Sequence, residues 1–213
     1  MSSNIVIRGL KKIKRLIINP SGKFRFVDPT AYLAPGVNVY ANDNLIMEEN
    51  TNIDPGGIIM NTRAKFIMKK NSGAAIGLLV VTGNHMSQIG KFFKQIGDEF
   101  KDKAANPKQY DKDIIVEEEV WIGARVTLLY GTHIKRGAVI GAGSVVRTSV
   151  PPYAVVMGNP AKIVGFRFTP EEILEHEKAL YSPNERLSFD EVDKYYKKYY
   201  TNRISKINNF IKL

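Results

Sequence analysis

Aliphatic residues recur every six positions between residues 116 and 150, where Val116, Ile122, Leu128, Ile134, Ile140 and Val146 form one column. Four places after each stands a small or β-branched residue: Val120, Val126, Thr132, Ala138, Ser144 and Val150. A period of six matches neither the 3.6-residue turn of an α-helix nor a plain two-residue alternation. Gly123, Gly131, Gly137, Gly141 and Gly143 weigh further against a helix, each costing about 1 kcal/mol relative to alanine. The arrangement that satisfies the period is a short strand, a turn built on a small residue, and another short strand, with three such units closing a triangular coil. Coils stacked at strand spacing, about 4.8 Å, bury the aliphatic column as a ladder inside a prism.

Upstream the pattern is looser. Met68, Ala74 and Val80 extend the first column, with Ser72, Leu78 and Asn84 four places on. "PTAYLAPGVNVY" and "LIMEENTNIDPGGIIM" break short apolar runs with Gly, Pro and Asn, so residues 31–85 read as irregular early coils. Between His85 and Val116 the hexads stop. Residues 86–115 are charged and mixed, and they are predicted to leave the prism as an excursion loop because the coil resumes in phase after them. The β-helical domain is therefore placed at residues 31–167.

Both ends change character. Residues 168–213 read as a helical tail: Thr169 caps, Pro170 takes the first helical position, and Glu171 and Glu172 suit a helix N-terminus. This tail would cap the open end of the solenoid or dock on a partner chain. Residues 1–30 read as an N-terminal amphipathic helix and lead-in, with Val6, Leu10, Ile13 and Ile17 on one face and Arg8, Lys11, Lys12, Lys14 and Arg15 between them. Packing on the protein or a neighbouring subunit is expected of it, and it is also a candidate for weak peripheral contact with an anionic membrane.

A length of 213 residues fits one domain with appendages. The chain has no cysteine, which excludes disulfides, thiolate metal sites and a cysteine nucleophile. The N-terminus lacks a signal-peptide apolar core and no run of eighteen apolar residues occurs, so a cytoplasmic location is expected. Lys plus Arg number 31 against 21 acidic residues, a formal charge of +10 that favours an anionic partner: nucleic acid, an acidic membrane or a phosphorylated cofactor.

Three histidines are available for chemistry. His85 closes the run "VVTGNH" at the point where the hexads stop, His133 reads as a surface coil residue, and His176 as a solvated position in the tail. Glu117, Glu118 and Glu119 could orient a histidine, although a solvated turn is the commoner use of such a run. Trp121 could flank a cofactor, but an aromatic on a coil face is more often packing at a subunit boundary. Asp54, in "NIDPGG", suits either acceptor hydroxyls or turn formation.

The strings "VWIGARVTLLYG", "AVIGAGSVV" and "VPPYAVVMGNPAKIVG" resemble the hexapeptide-repeat acetyltransferases, the group containing galactoside, maltose, serine and xenobiotic acetyltransferases. The resemblance implies a mainly β fold, a left-handed parallel β-helix, assembled as a homotrimer with acetyl-CoA in a groove between adjacent prisms. It implies that His85, which matches the family's histidine after "VTGH", is the general base. Here Asn84 stands between the glycine and the histidine; Asn84 and Asp54 are the acceptor-binding candidates. For the cofactor the resemblance implies Ala124 and Ala142, whose small side chains leave a slot for pantetheine, and Arg147 and Thr148, whose order is swapped relative to many relatives. Lys162 matches a basic position that meets the cofactor phosphates. A further basic position of some relatives falls on Gly165, for which Arg167 is the compensating candidate.

The chemistry is self-consistent. Acyl transfer from a thioester to an alcohol needs a base near neutral, and free histidine titrates near 6.5. Backbone N–H groups at coil turns could hold the oxyanion. Direct attack by the acceptor requires no acyl-enzyme and no metal. The expected activity is acetyl transfer to a sugar hydroxyl, as on a surface-polysaccharide precursor, with no nucleic-acid partner. N-acetylation of an amino sugar and a non-catalytic β-helix scaffold are the alternatives. A zinc site like that of gamma-class carbonic anhydrases fits poorly, because it needs three histidines around one metal and His133 and His176 belong to different parts of the chain.

Overall fold

The computed structural model describes residues 24–200. Five coils follow one another, each made of three short strands. They are β1 (Phe26–Val27), β2 (Tyr32–Leu33) and β3 (Asn38–Val39); β4 (Leu45–Met47), β5 (Asn52–Ile53) and β6 (Ile58–Met60); β7 (Phe66–Met68), β8 (Gly73–Ala74) and β9 (Leu79–Val81); β10 (Ile114–Val116), β11 (Trp121–Ile122) and β12 (Thr127–Leu129); and β13 (His133–Ile134), β14 (Val139–Ile140) and β15 (Val145–Val146). Every third strand stacks in parallel on the one before it, which produces three sheets: face 1 from β1 to β13, face 2 from β2 to β14, and face 3 from β3 to β15. The product is the left-handed parallel β-helix. It begins at Phe26, upstream of the expected onset at residue 31, because Val27 pairs with Met47 and already packs into the core.

The register shows why the six-residue period exists. Val116 stacks on Met68 below and Ile134 above, Ile122 on Ala74 and Ile140, Leu128 on Val80 and Val146. All of these side chains are buried. The second column is buried as well, since Val120, Val126, Thr132, Ala138, Ser144 and Val150 point inward at the corners. The polar members satisfy themselves within the coil: Ser144 Oγ donates to the Gly141 carbonyl, and Thr132 Oγ1 to the Leu129 carbonyl. Coil spacing is eighteen residues from Val116 to Ile134 but twenty from Val27 to Met47 and twenty-one from Met47 to Met68, which is why no single phase runs through the early coils.

Corners need left-handed backbone. On the edge between faces 1 and 2, Asn50, Asn71, Glu119, Gly137 and Tyr153 all have positive φ, one above another. At Gly137 (φ +67°) a Cβ would also stand 2.4 Å from the Tyr153 ring, so glycine is required twice over. Asn50 and Asn71, the non-glycine types that tolerate this region, link their side chains at 2.8 Å.

After the fifth coil, β16 (Ala154–Met157) continues face 2 in parallel, and β17 (Lys162–Phe166) turns back antiparallel along it. Beyond the short helix α1 (Asp98–Asp102) inside the excursion, two tail helices follow, α2 (Pro170–Leu180) and α3 (Phe189–Tyr199). Thr169 and Glu172 form a reciprocal capping box at the start of α2, and Ser188 caps α3. A second small core of Tyr153, Ile173 and Val192 fastens the helices to the last coil. Its polar centre is Glu177, fully buried, which accepts from Tyr153 Oη at 2.6 Å, Arg136 Nη1 at 2.9 Å and the Leu187 N–H at 3.1 Å. Burial and the Glu177 carboxylate push the Tyr153 phenol far above its ordinary value, so it stays a donor. Residues 1–23 and 201–213 lie outside the described residues, and the expected N-terminal amphipathic helix falls there.

The run Glu117–Glu119, read either as orienting a histidine or as a solvated turn, is a set of ties. Glu117 Oε1 holds His133 Nε2 at 2.6 Å, Glu118 pairs with Lys69 and Arg136, and Glu119 holds both Arg167 and His176. His176 is accordingly only partly exposed, its ring also packing 5.2 Å from Phe168 and edge-on to Tyr153. Arg167 donates through Nη1 to Glu119 and to the Gly137 carbonyl, which ties it to the tail interface. The reason is geometric. Each carboxylate stands at the corner next to a basic side chain of an adjoining coil or of the tail, a neighbour distant in sequence.

Two outcomes test this account. Leu128→Ala, in the middle of a ladder, is expected to lower unfolding free energy by about 2–5 kcal/mol in urea titration. For Glu118, burial raises its pKa, but a backbone hydrogen bond, Lys69 and Arg136 outweigh it, and the folded value lies below the ordinary 4.5. The folded state therefore binds fewer protons than the unfolded state, so the stabilisation is complete above about pH 4.5 and is lost as pH falls through the folded value. Wild type should melt above Glu118→Gln at neutral pH, and the gap should shrink on acidification below pH 4.5.

Candidate active site

The chain leaves the prism at the edge between faces 3 and 1, directly after β9. Thr82, not Asn84, fills the inward corner position there: Thr82 is buried and its hydroxyl donates to the Met60 and Ala64 carbonyls, while Asn84 is exposed. The outgoing and returning strands then form a neck. Lys112 N–H donates to the Thr82 carbonyl at 2.9 Å, Gly83 bridges Asp111, and Asn84 N–H donates to the Tyr110 carbonyl at 2.7 Å. The excursion ends at Asp113, since Ile114 and Ile115 already belong to β10.

A charge cluster fixes the base of the excursion. Arg63, at the same edge one coil earlier, donates through Nε to Asp111 at 2.9 Å and pairs with Asp102 and with Asp98. Lys101 joins Asp111 at 3.3 Å and Asp98 at 3.1 Å. The Asp111 side chain is only 10% exposed, where Coulomb attraction is weakly screened and two cations on one carboxylate matter most. The hydrogen bonds that Arg63 donates to Asp102 and Asp111 hold its guanidinium above the ordinary value, and the bond donated by Lys101 holds Asp98 below its own. Further out, Ile89, Phe92 and Phe93 are exposed.

His85 stands one residue beyond the neck. It is exposed, its ring lies edge-on to Phe93 with centroids 6.5 Å apart, and its N–H donates to Asn84 Oδ1 at 2.9 Å. The Asn84 amide group reaches Tyr130 Oη on the next coil at 3.4 Å. Asn84 thus spends its side chain inside the chain, on His85 and Tyr130.

The expected cofactor residues divide between two edges. Ala124 and Ala142 sit on successive coils at the edge between faces 2 and 3, joined by the bond from Gly143 N–H to the Ala124 carbonyl at 2.8 Å. Coils approach closely at this edge: a Cβ on Gly123 would lie 2.7 Å from the Ala142 nitrogen. The N–H groups of Ala124 and Ala142 donate to no acceptor among the described residues. Lys162, exposed, tops the same edge, opposite Met157 at the start of β17. Asp54 lies lower on it, with Oδ1 accepting from Asn52 at 3.1 Å. Arg147 and Thr148, both exposed, follow β15 on the other edge of face 3, the His85 edge. Crossing face 3 takes about five residues of strand and turn, roughly 15 Å. One prism therefore keeps His85, Asn84, Arg147 and Thr148 apart from Ala124, Ala142, Lys162 and Asp54.

An open groove of about 480 Å³ lies elsewhere, over the first coils, lined by Arg25, Phe26, Glu48, Glu49 and Lys70 among others; none of the expected site residues borders it. Among the described residues no helix is long and apolar enough to cross a membrane, and no three His, Asp or Glu side chains are grouped to hold a metal. Trp121 is half exposed on face 2. The residues that sequence reasoning missed are Arg63, Asp111 and Tyr130. Their common signal was their flanking of coil corners beside the excursion, visible only once the coils are in register.

Fold and repeat together define a hexapeptide-repeat β-helix protein, and residues 113–148 match the family profile described as bacterial transferase hexapeptide (six repeats). A chloramphenicol acetyltransferase of Klebsiella aerogenes is 37% identical over 110 residues, 52% of this chain and 49% of that one. A galactoside O-acetyltransferase of Lactococcus lactis is 29% identical over 128 residues, 60% of this chain and 50% of that one. The chain thus spans about half the length of these curated relatives. Among solved structures, a hexapeptide-repeat acetyltransferase of Vibrio cholerae complexed with acetyl-CoA superposes with TM-score 0.55 over 65% of this chain and 69% of that chain; at 22% identity this is a likeness of fold.

The clamp is open to test. Arg63→Met should leave the melting temperature of the prism nearly unchanged while trypsin cleavage between residues 86 and 113 accelerates several-fold, read by mass spectrometry, because local opening loses its strongest ties.

Proposed function

We propose that the protein is an acetyl-CoA-dependent O-acetyltransferase that acetylates a sugar hydroxyl, with His85 as general base. The observation that carries this reading is the placement of His85: an exposed imidazole at a prism edge, one residue beyond the neck, where the excursion interrupts the repeat. The named acetyltransferase relatives and the acetyl-CoA complex of the same fold support the donor.

In the proposed reaction the His85 imidazole takes the proton of the acceptor hydroxyl as its oxygen attacks the thioester carbonyl. The new C–O bond forms, the C–S bond breaks, and the coenzyme A sulfur leaves with a proton returned by the imidazolium. The unclaimed Ala124 and Ala142 N–H groups would meet the pantetheine arm, and Lys162, with Arg147 and Thr148, the phosphates. Since one prism separates the two groups of residues, the site is completed by a second copy, and three copies around an axis give three equivalent sites. Asp54 would meet the acceptor from the copy that supplies Ala124. The proposed setting is the cytoplasm and a surface-polysaccharide precursor. A second reading, acetylation of a xenobiotic hydroxyl, is favoured by the 37% identity to a chloramphenicol acetyltransferase.

Radiolabelled acetyl-CoA with galactosides, maltose, glucosamine and chloramphenicol separates these readings. Turnover of a sugar hydroxyl, lowered about 10²–10⁴-fold in His85→Ala, is expected. Exclusive amine turnover would overturn O-transfer, fastest turnover of chloramphenicol would move the acceptor class, and equal rates in wild type and variant would remove His85 from the chemistry.

A further inference from the structure

Asn84 is the residue by which "VTGNH" exceeds the "VTGH" of the resembling family, and its surroundings assign it a task. Three hydrogen bonds meet at it: one to the returning strand of the neck, one from the next residue, and one to the coil above. Its own N–H donates to the Tyr110 carbonyl on the returning strand of the neck at 2.7 Å. Its Oδ1 accepts the His85 N–H at 2.9 Å. Its amide group donates to Tyr130 Oη at 3.4 Å, on the coil that stacks directly over β9. The Lys112 ammonium, also from the returning strand, lies 5.9 Å from the Tyr130 ring centre, and the Lys112 stem fills the space beside Gly131. Tyr130 is therefore seated against the neck, and its hydroxyl is presented to Asn84.

We propose that Tyr130 is a positioning residue, acting through the Asn84 carboxamide to hold the His85 backbone, and that Asn84 belongs to this relay rather than to the acceptor pocket. His85 lies one residue beyond the last backbone hydrogen bond of the neck, and an unrestrained Asn84 side chain would let the imidazole swing. Tying its side chain to the rigid coil above removes that freedom. Such restraint matters because misplacing a base by about 1 Å can cost roughly 10²-fold in rate. A group acting in this way changes turnover and leaves donor binding alone. The proposal rests on His85 being the general base.

The test is a double-mutant cycle on the intact protein, using the sugar acceptor turned over fastest in the panel above. Tyr130→Phe and Asn84→Ala should each lower kcat about tenfold with the KM for acetyl-CoA unchanged. The double variant should be no slower than Asn84→Ala, because the Tyr130 hydroxyl has no other route to His85. Asn84→Asp should restore activity to near wild type, its carboxylate accepting from both the His85 N–H and the Tyr130 hydroxyl. Fully additive losses, or wild-type kcat in Tyr130→Phe, would overturn the relay. An acceptor-free readout runs alongside: the rate at which diethyl pyrocarbonate modifies His85, measured by peptide mass spectrometry, should change several-fold in Tyr130→Phe while that of His133 does not. An unchanged His85 rate would also overturn it. If His85→Ala keeps full transfer, the base assignment itself is wrong. If His85→Ala is inactive and the cycle is additive, only the relay fails.

Discussion

Everything in this molecule hangs on the stacking of like positions, rung on rung, along three ladders. A coil of eighteen residues is the length at which the inward aliphatic of one rung lands on that of the next, as Ile134 lands on Val116 and Val146 on Leu128. Each rung contributes short strands that would not persist alone, and their stability comes from parallel neighbours and from burial shared across the prism. The corners follow from the same demand. A strand of two or three residues must turn at once, so left-handed backbone recurs at fixed heights, and the residues that bear it, such as Asn50, Asn71 and Gly137, form columns of their own.

That constraint also governs where chemistry can stand. Inward positions belong to the core and face positions to sheet packing, leaving the edges for anything that must meet a second molecule. The excursion is compatible with the fold because it leaves and returns at one edge, between a rung that ends at Val81 and one that begins at Ile114. Its interior owes nothing to the ladders. What makes it definite near the prism is charge: Arg63 and Lys101 converge on Asp111, where little water remains to screen them.

The sequence makes the ladders legible because burial leaves a trace at every sixth position, and the capping box at Thr169 is legible because it is local. The early coils were harder to phase. Twenty- and twenty-one-residue turns shift the register while preserving the stack, so Val27, Met47 and Met68 share a column that no fixed period reveals. The particular partners of polar residues stay hidden for a related reason. Glu119 meets Arg167 and His176 across 48 and 57 positions of chain, and nothing in a run of three glutamates indicates that. At the site, His85 stood out through its motif and its place before the excursion. Tyr130 did not, because its contact with Asn84 depends on the rung above, 46 positions away along the chain.

The reversal of β17 settles how the solenoid ends. A parallel stack presents at its last rung the same unpaired N–H and C=O groups that each earlier rung offered to its successor, so two such molecules could in principle join end to end. Instead the chain folds back on itself, antiparallel to β16 and with an irregular register at Val155 and Val156. On face 2 the terminal hydrogen-bonding groups are consumed, and the helices seated by Glu177 stand beside them. A fold whose logic is repetition thus carries its own terminator, which favours discrete particles over growing fibres.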